Sequence, residues 1–164
     1  MTPRVGQGFD AHRLAPGRPL RLGGVEIPYE RGLVGHSDGD VLLHAIARAL
    51  LGALGAGDLG QHFPSADERW RGAASGVFVR EAMAKARQAG FVLGNLDATL
   101  IAEAPRLAKH QEAMRRSVAA LLEAKLEAVN LQITSTDGLG AIGRGEGIAA
   151  QAVVLLEAAA GGAA

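Results

Sequence analysis

The chain has 164 residues, of which 48% are hydrophobic, and this length predicts one domain spanning residues 1–164. Seventeen basic residues balance seventeen acidic ones and no cysteine is present, so nucleic acid is not expected as a partner, and disulfides and thiolate ligands are excluded. The sequence contains no apolar stretch of signal-peptide or membrane-spanning character, which predicts a cytoplasmic protein without a membrane partner.

The chain opens with a predicted strand near residues 3–12. Residues two apart in a strand project from the same face, so Asp10 and His12 are expected to point together. Residues 13–32 are rich in glycine and proline around short apolar pieces, which predicts turns and an edge hairpin.

Residues 35–44 contain two histidines and two aspartates, directly before an apolar run with helical spacing. The spacing predicts a helix from near Asp40 to Leu54. Short polar side chains suit the N-cap of this helix, and that structural interpretation covers Ser37, Asp38 and Asp40. It accounts for one carboxylate and leaves the second aspartate, His36 and His44 without a role.

A metal site would give the second histidine a role. His44 lies one turn beyond the expected helix start, where the helix dipole also favours an anion. A single histidine beside an apolar helix is more often structural, but Asp10 and His12 supply two further donors. Two imidazoles and one carboxylate leave one coordination position open, as in catalytic zinc sites. We therefore predict that zinc binds to Asp10, His12 and His44.

The middle of the chain predicts alternating helices and strands. Glycines and a proline break residues 52–67 into a loop, and residues 77–89 form an amphipathic helix. Residues 91–101 alternate as a strand, with four apolar side chains on one side: Val92, Leu96, Ala98 and Leu100. Pro105 is placed to open the next helix.

The last third predicts two more strands. Residues 129–136 deliver a run of hydroxyls and one carboxylate at a strand end, where such residues are also common turn formers. The glycine run that follows matches neither a P-loop nor a dinucleotide fingerprint. Residues 147–156 predict a buried strand, followed by a frayed Ala/Gly tail. The chain therefore predicts an α+β two-layer sandwich, with a four-stranded mixed sheet and helices on one face.

Three stretches of the chain resemble the signature sequences of one enzyme family. They are GFDAHRL, GHSDGDVLLHAIARALLGALGAGDLGQHFP and TSTDGLGAIGRGEGIA. They are similar to 2-C-methyl-D-erythritol 2,4-cyclodiphosphate synthase of the non-mevalonate isoprenoid pathway, over about residues 3–157. The resemblance implies a lyase that acts on a phosphorus–oxygen bond. It would cyclise 4-diphosphocytidyl-2-C-methyl-D-erythritol 2-phosphate to 2-C-methyl-D-erythritol 2,4-cyclodiphosphate and release CMP, in a homotrimer with sites at subunit interfaces.

The resemblance also implies catalytic groups and a second metal. His36, with Ser37 beside it, would donate to the reacting phosphates, and Ser135 would stabilise the transition state. Asp137 would bind a second divalent cation, magnesium or manganese, although many members of the family have Glu at this position. His62 matches no family function, so we expect it to be structural.

The resemblance further implies contacts to the metal-bound phosphate, the erythritol phosphate, the cytidine and the diphosphate. The residues implied are Asp10, His12, His36, Ser37, Asp58, Leu59, Gly60, Phe63, Pro64, Ser65, Ala66, Asp67, Ala102, Glu103, Ala104, Pro105, Arg106, Leu107, Ala108, Thr134, Ser135, Thr136, Asp137, Ala141 and Arg144. Ser65 and Ala66 stand where members often carry Asp and Thr. Arg144 would also lie close to the trimer axis.

Two other classes of function remain open. A zinc-dependent phosphodiesterase or nucleotide hydrolase would use the same three ligands to activate water. A trimeric nucleotide-binding module without catalysis would need no open metal site. The complete set of Asp10, His12 and His44 disfavours the binding module, and product analysis separates a cyclase from a hydrolase.

Overall fold

The computed structural model describes residues 1–160, within which five strands form one mixed sheet. The strand order is β4-β1-β7-β5-β6, with β5 and β6 parallel and the other neighbours antiparallel. The strands of this sheet are β1 (Arg4–Pro16), β4 (Arg31–Leu33), β5 (Phe91–Ile101), β6 (Val129–Thr134) and β7 (Gly147–Ala158). A separate hairpin pairs β2 (Leu20–Leu22) with β3 (Val25–Ile27).

Five α-helices and three short 3-10 turns complete the described part of the chain. The helices are α1 (Val41–Leu54), α2 (Leu59–His62), α3 (Gly76–Gln88), α4 (Gln111–Leu122) and α5 (Gly140–Gly143). The 3-10 turns are Glu68–Trp70, Ala108–His110 and Leu126–Ala128. None of the helices described between residues 1 and 160 is both long and apolar enough to cross a membrane.

Helix α1 lies against β1 at very close range. Its core side chains, including Ile46 and Leu50, are fully buried. A Cβ atom added at Gly6 would lie 1.9 Å from the Ala49 carbonyl oxygen, and one added at Gly8 would lie 2.0 Å from that of Ala45. Glycine is therefore required at both strand positions if the helix is to approach this closely.

The α+β fold is confirmed, but the prediction of four strands is wrong. The fifth strand, β4, begins at the end of the stretch that was assigned to turns and an edge hairpin, and it pairs with the end of β1. Three residues are too few to show the alternation on which strand prediction depends. The hairpin expected in the same stretch is confirmed as β2 and β3.

One side chain of β5 was assigned to the wrong face. Val92 is 40% exposed, whereas Phe91 beside it is buried. The pairing of β5 with β7 shifts register between Leu93 and Asn95, so a bulge reverses the alternation there. Beyond the bulge, the prediction of a buried row is confirmed for Leu96, Ala98 and Leu100.

The other differences concern helix boundaries. Pro105 does not open α4, which begins at Gln111, because the buried Leu107 and the Ala108–His110 turn lie between them. The predicted loop at residues 52–67 contains one helical turn, α2. The Ala/Gly tail for which fraying was expected lies partly outside the described residues.

Candidate active site

Strand β1 and helix α1 bring the three predicted zinc ligands together. Asp10 and His12 lie on one face of β1, and His44 lies in the first turn of α1. Asp10 Oδ2 lies 2.9 Å from His12 Nε2 and 3.1 Å from His44 Nδ1. The two histidine nitrogens lie 3.1 Å apart, and all three donor atoms fall within 4.8 Å of one another.

The tautomer of His12 is set by a backbone contact. Its Nδ1 lies 2.7 Å from the Val34 carbonyl oxygen, which can only accept, so Nδ1 carries a proton. In the neutral ring, Nε2 then presents a lone pair to the carboxylate of Asp10. Two lone pairs at this distance repel each other unless a cation lies between them.

The pKa shifts of Asp10 and His12 also indicate that a positive charge is stabilised between them. Burial alone would raise the pKa of Asp10, but hydrogen bonds with His12 and His44 hold it well below its usual range. Burial alone would lower the pKa of His12, but its contact with the Asp10 carboxylate raises it. The centre therefore favours a positive charge beside the Asp10 carboxylate. Two imidazole nitrogens and one carboxylate oxygen also fit zinc with an open fourth position.

Asp40 is the N-cap of α1, and it was one of the three predicted candidates, with Ser37 and Asp38. Its carboxylate accepts the N–H groups of Leu43 at 3.1 Å, Gly23 at 2.9 Å and Gly24 at 2.7 Å. Its side chain is fully buried, and burial raises the pKa of the carboxyl to about 6. Asp40 thus fixes both the start of the helix and the turn of the hairpin.

Ser37 and Asp38 have contacts other than the helix cap. The Ser37 hydroxyl lies 3.0 Å from His44 Nε2, on the side of the ring that faces away from Asp10. Asp38 accepts hydrogen bonds from the backbone and the hydroxyl of Ser75. Ser75 was not identified from the sequence, in which nothing marks it as part of the site.

A cavity of about 230 Å³ opens beside the three donor atoms. Of the predicted site residues, it is lined by Asp10, His12, His36, Ser37, His44, Leu59, Gly60, Phe63 and Ser65. Three further residues that line the cavity were not predicted from the sequence, namely Arg48, Trp70 and Phe78. The rings of Phe63, Trp70 and Phe78 pack against each other, with centroids 4.6 to 5.9 Å apart.

Three buried nitrogens of residues that line this cavity lack hydrogen-bond partners. They are His36 Nε2, Arg48 Nε and Trp70 Nε1, and among residues 1–160 only Arg18 Nε shares this condition. Buried polar groups are normally paired, and leaving one unpaired costs about 1 to 3 kcal/mol. Because these atoms have almost no exposed surface, a ligand with acceptor oxygens would reach them only after the lining side chains shift.

Two aspartates of the predicted erythritol-phosphate loop are engaged locally. Asp58 caps α2 in a reciprocal arrangement with Gln61, and it does not line the cavity. Asp67 accepts hydrogen bonds from Arg69, and these bonds lower the pKa of the Asp67 carboxyl. His62 Nε2 lies 2.7 Å from the Ala56 carbonyl oxygen, and His62 does not line the cavity, in keeping with a structural role.

The predicted cytidine and diphosphate residues lie apart from this cavity within the chain. Pro105, Arg106 and Ala108 line a different cavity, of about 450 Å³. Residues 134–137 line neither of these cavities, and Asp137 is exposed with φ of 55°. The Arg144 guanidinium donates to Glu146 at 2.6 Å. One chain therefore does not bring the two groups of predicted residues together.

A mixed α+β fold that places an Asp/His/His centre beside a cavity with unpaired donors defines a candidate metal-dependent enzyme acting on an acceptor-rich ligand. Comparison with known proteins makes the assignment specific. The sequence model of the YgbB family matches residues 3–157. The chain belongs to the YgbB family.

Relatives and solved structures agree with this assignment. A 2-C-methyl-D-erythritol 2,4-cyclodiphosphate synthase of Geobacillus kaustophilus is 58% identical over 154 residues, which cover 94% of this chain and 98% of that protein. A CDP-bound structure of such a synthase superposes with a TM-score of 0.87 at 41% identity, covering 94% of this chain and all of that one. The bifunctional IspDF of Campylobacter jejuni gives a TM-score of 0.92 at 39% identity. The match covers 96% of this chain but only 42% of the length of IspDF.

Proposed function

We propose that this chain cyclises 4-diphosphocytidyl-2-C-methyl-D-erythritol 2-phosphate to 2-C-methyl-D-erythritol 2,4-cyclodiphosphate and releases CMP. This would make it a phosphorus–oxygen lyase of the non-mevalonate isoprenoid pathway. The observation that carries the proposal is the convergence of Asp10, His12 and His44 on one point beside the cavity. Synthases of this name among its relatives support the choice of substrate.

The reaction needs no nucleophile from the protein. An oxygen of the 2-phosphate attacks the β-phosphorus, the bond between that phosphorus and the bridging oxygen breaks, and CMP departs with this oxygen. Both reacting partners are anionic, so orientation and charge stabilisation dominate the barrier. Asp10, His12 and His44 would hold zinc, which supplies Lewis-acid charge to phosphate oxygens when bound.

We assign donation to the phosphates to His36, as the family resemblance implies. Its Nε2 is buried without a partner among the described residues, and it lines the cavity beside the metal centre. The Ser37 hydroxyl is already within hydrogen-bond distance of His44 and Ser75, so the donation predicted for the pair falls to His36. We assign Ser135 to transition-state stabilisation and Asp137 to a second cation, magnesium or manganese, which favours carboxylate oxygens.

A homotrimer with sites between subunits would account for the separation of the predicted residues. The metal centre and the cytidine corner at residues 102–108 line different cavities of one chain. The sheet also leaves Val5, Phe9 and Val153 exposed by 68%, 54% and 40%, on the face that turns away from α1. Exposed apolar side chains grouped in this way are typical of a subunit interface. We therefore infer a two-layer subunit whose bare sheet face packs in the trimer.

Product analysis tests this function against the hydrolase alternative. The purified protein is incubated with the cytidylated substrate in water enriched in oxygen-18, and the products are identified by phosphorus NMR and mass spectrometry. Cyclisation should give two coupled phosphorus signals and no oxygen-18 in the products. A hydrolase would give uncoupled monophosphates, with the label on only one of the two phosphorus atoms of the cleaved diphosphate, and this result would contradict the proposal.

A further inference from the structure

The second ring nitrogen of His44 lies in a buried group of hydroxyls. Nε2 faces away from the metal centre and lies 2.9 Å from Ser75 Oγ and 3.0 Å from Ser37 Oγ. The two hydroxyl oxygens lie 3.2 Å apart, and Ser75 has no exposed surface. A hydroxyl and a neutral imidazole can each donate or accept, so these three residues alone do not fix the position of the ring proton.

Asp38 fixes the direction of the hydrogen bonds in this group. Its Oδ1 is hydrogen-bonded to the Ser75 hydroxyl, and a carboxylate can only accept. The Ser75 N–H donates to Oδ2 and the Asp40 N–H to Oδ1, each at 3.1 Å, which holds the carboxylate in place. The Ser75 proton therefore points to Asp38, and the Ser75 oxygen is left to accept a proton from His44 Nε2.

We propose that Asp38 and Ser75 are a positioning pair that keeps the ring proton of His44 on Nε2. With the proton there, the lone pair of Nδ1 faces Asp10 and His12 and is available to a divalent metal ion. The inference rests on the metal centre of the proposed function and adds two residues to it. Neither residue touches the metal position. Both act through the orientation and tautomer of His44, as partners of metal-bound histidines commonly do.

The two residues should respond differently to substitution. In Asp38→Asn, the new amide can donate to Ser75 Oγ, which turns the hydroxyl toward His44 Nε2 and drives the ring proton to Nδ1. We expect zinc affinity to fall by about 10- to 100-fold, as for other partners of metal-bound histidines. In Ser75→Ala, the Ser37 oxygen still lies 3.0 Å from Nε2 and can accept from it, so the loss should be smaller.

A double-mutant cycle tests whether Asp38 acts through Ser75. Zinc dissociation constants are measured by chelator competition for the wild type, Asp38→Asn, Ser75→Ala and the double variant. Glu112→Gln serves as the control, since it removes an exposed carboxylate that, among residues 1–160, pairs with Arg115 and Arg116 on α4. Asp38→Asn should have no further effect when Ser75 is already alanine. An equal loss of zinc affinity in both backgrounds, or a loss of less than twofold in Asp38→Asn alone, would contradict the proposal that Asp38 acts through Ser75.

Nitrogen-15 NMR of the histidine rings gives a second readout that depends on neither variant folding nor zinc binding. In the metal-free wild type, at a pH at which the His44 ring is neutral, we expect His44 to carry its proton on Nε2 and to exchange it slowly with solvent. A proton on Nδ1 would overturn the positioning pair, whether or not zinc binds. A wild type with the proton on Nε2 that nevertheless binds no zinc would support the pair and contradict the metal centre of the proposed function.

Discussion

His12 Nε2 lies 3.1 Å from His44 Nδ1, although the two residues are 32 positions apart in the chain. Strand β1 carries one of them and helix α1 carries the other. Gly6 and Gly8 of β1 allow the helix backbone to approach the strand at this point. The geometry of the candidate metal centre therefore depends on the distance between one strand and one helix.

Replacing Gly8 by alanine should push α1 away from β1. The new Cβ would lie 2.0 Å from the Ala45 carbonyl oxygen, which is part of the helix backbone and cannot turn aside. We expect the free energy of unfolding to fall by about 1 to 3 kcal/mol, as in other overpacked cores. Zinc affinity should fall as well, because His44 would move relative to His12. Urea unfolding and chelator competition measure the two effects.

Gly52→Ala on the same helix is the matched control. Its added Cβ would come no closer than 3.5 Å to Gln7, which is an ordinary contact. Alanine is favoured over glycine inside a helix by up to about 1 kcal/mol, so this variant should be as stable as the wild type or more stable. Equal losses in both variants would show that close approach at Gly8 is not what holds the centre together.

Trp70→Phe should weaken substrate binding while keeping the aromatic wall of the cavity. The change removes the indole N–H, which is buried without a partner among the described residues, and retains a ring against Phe63 and Phe78. Loss of one hydrogen bond of about 1 kcal/mol predicts an increase in KM of about fivefold. The stability of the substrate-free protein should change little. A KM equal to that of the wild type would mean that the N–H does not contact the substrate.

The sequence predicted those parts of the site that depend on local spacing. Asp10 and His12 were placed on one face by the alternation of a strand, and Asp40 was among the N-cap candidates because of its position before a helical run. Arg48 could also have been found, since it lies one turn after His44 on the same helix. The residue spacing along this helix was used only to predict which side chains lie in the core.

Other parts depend on contacts that no local pattern encodes. Ser75 reaches His44 across 31 positions, through the packing of α3 against α1. The bulge in β5 moved Phe91 to the core side and Val92 to the exposed side, and β4 is too short to show a period. These features follow from tertiary packing, which overrides local preferences.

The stability of the protein should depend on the ionisation of Asp40. Burial raises the pKa of this carboxyl from 3.8 to about 6, so folding favours the protonated form. The stabilising contribution is complete below about pH 4 and is lost as the pH rises to about 6. The free energy of unfolding of the wild type minus that of Asp40→Asn should therefore fall over this interval and stay level above it.

Urea unfolding between pH 4 and 8, in the presence of a chelator and at one protein concentration, measures this difference. The asparagine side chain does not titrate, so other ionisable groups cancel between the two proteins. A difference that rises between pH 4 and 6 would show that the three N–H donors outweigh burial and hold the pKa of Asp40 below its ordinary value.

Mixing two inactive variants should restore activity if sites form between subunits. His44→Ala removes a metal ligand, and Ala104→Trp obstructs the cytidine corner, so each homotrimer should be inactive. In randomly mixed trimers, about one quarter of the sites would combine an intact metal centre with an intact corner. Activity near this fraction after co-refolding supports shared sites. Its absence, with subunit exchange confirmed by mass spectrometry, would favour a site within one chain.

We propose that Asp10 Oδ2, His12 Nε2 and His44 Nδ1 together bind one zinc ion. Crystals of the zinc-loaded protein, measured on both sides of the zinc absorption edge, test it most directly. We expect one strong anomalous peak per chain, about 2.0 to 2.2 Å from Asp10 Oδ2, His12 Nε2 and His44 Nδ1. A fully occupied zinc ion elsewhere, or one bound through His44 Nε2, would contradict the account.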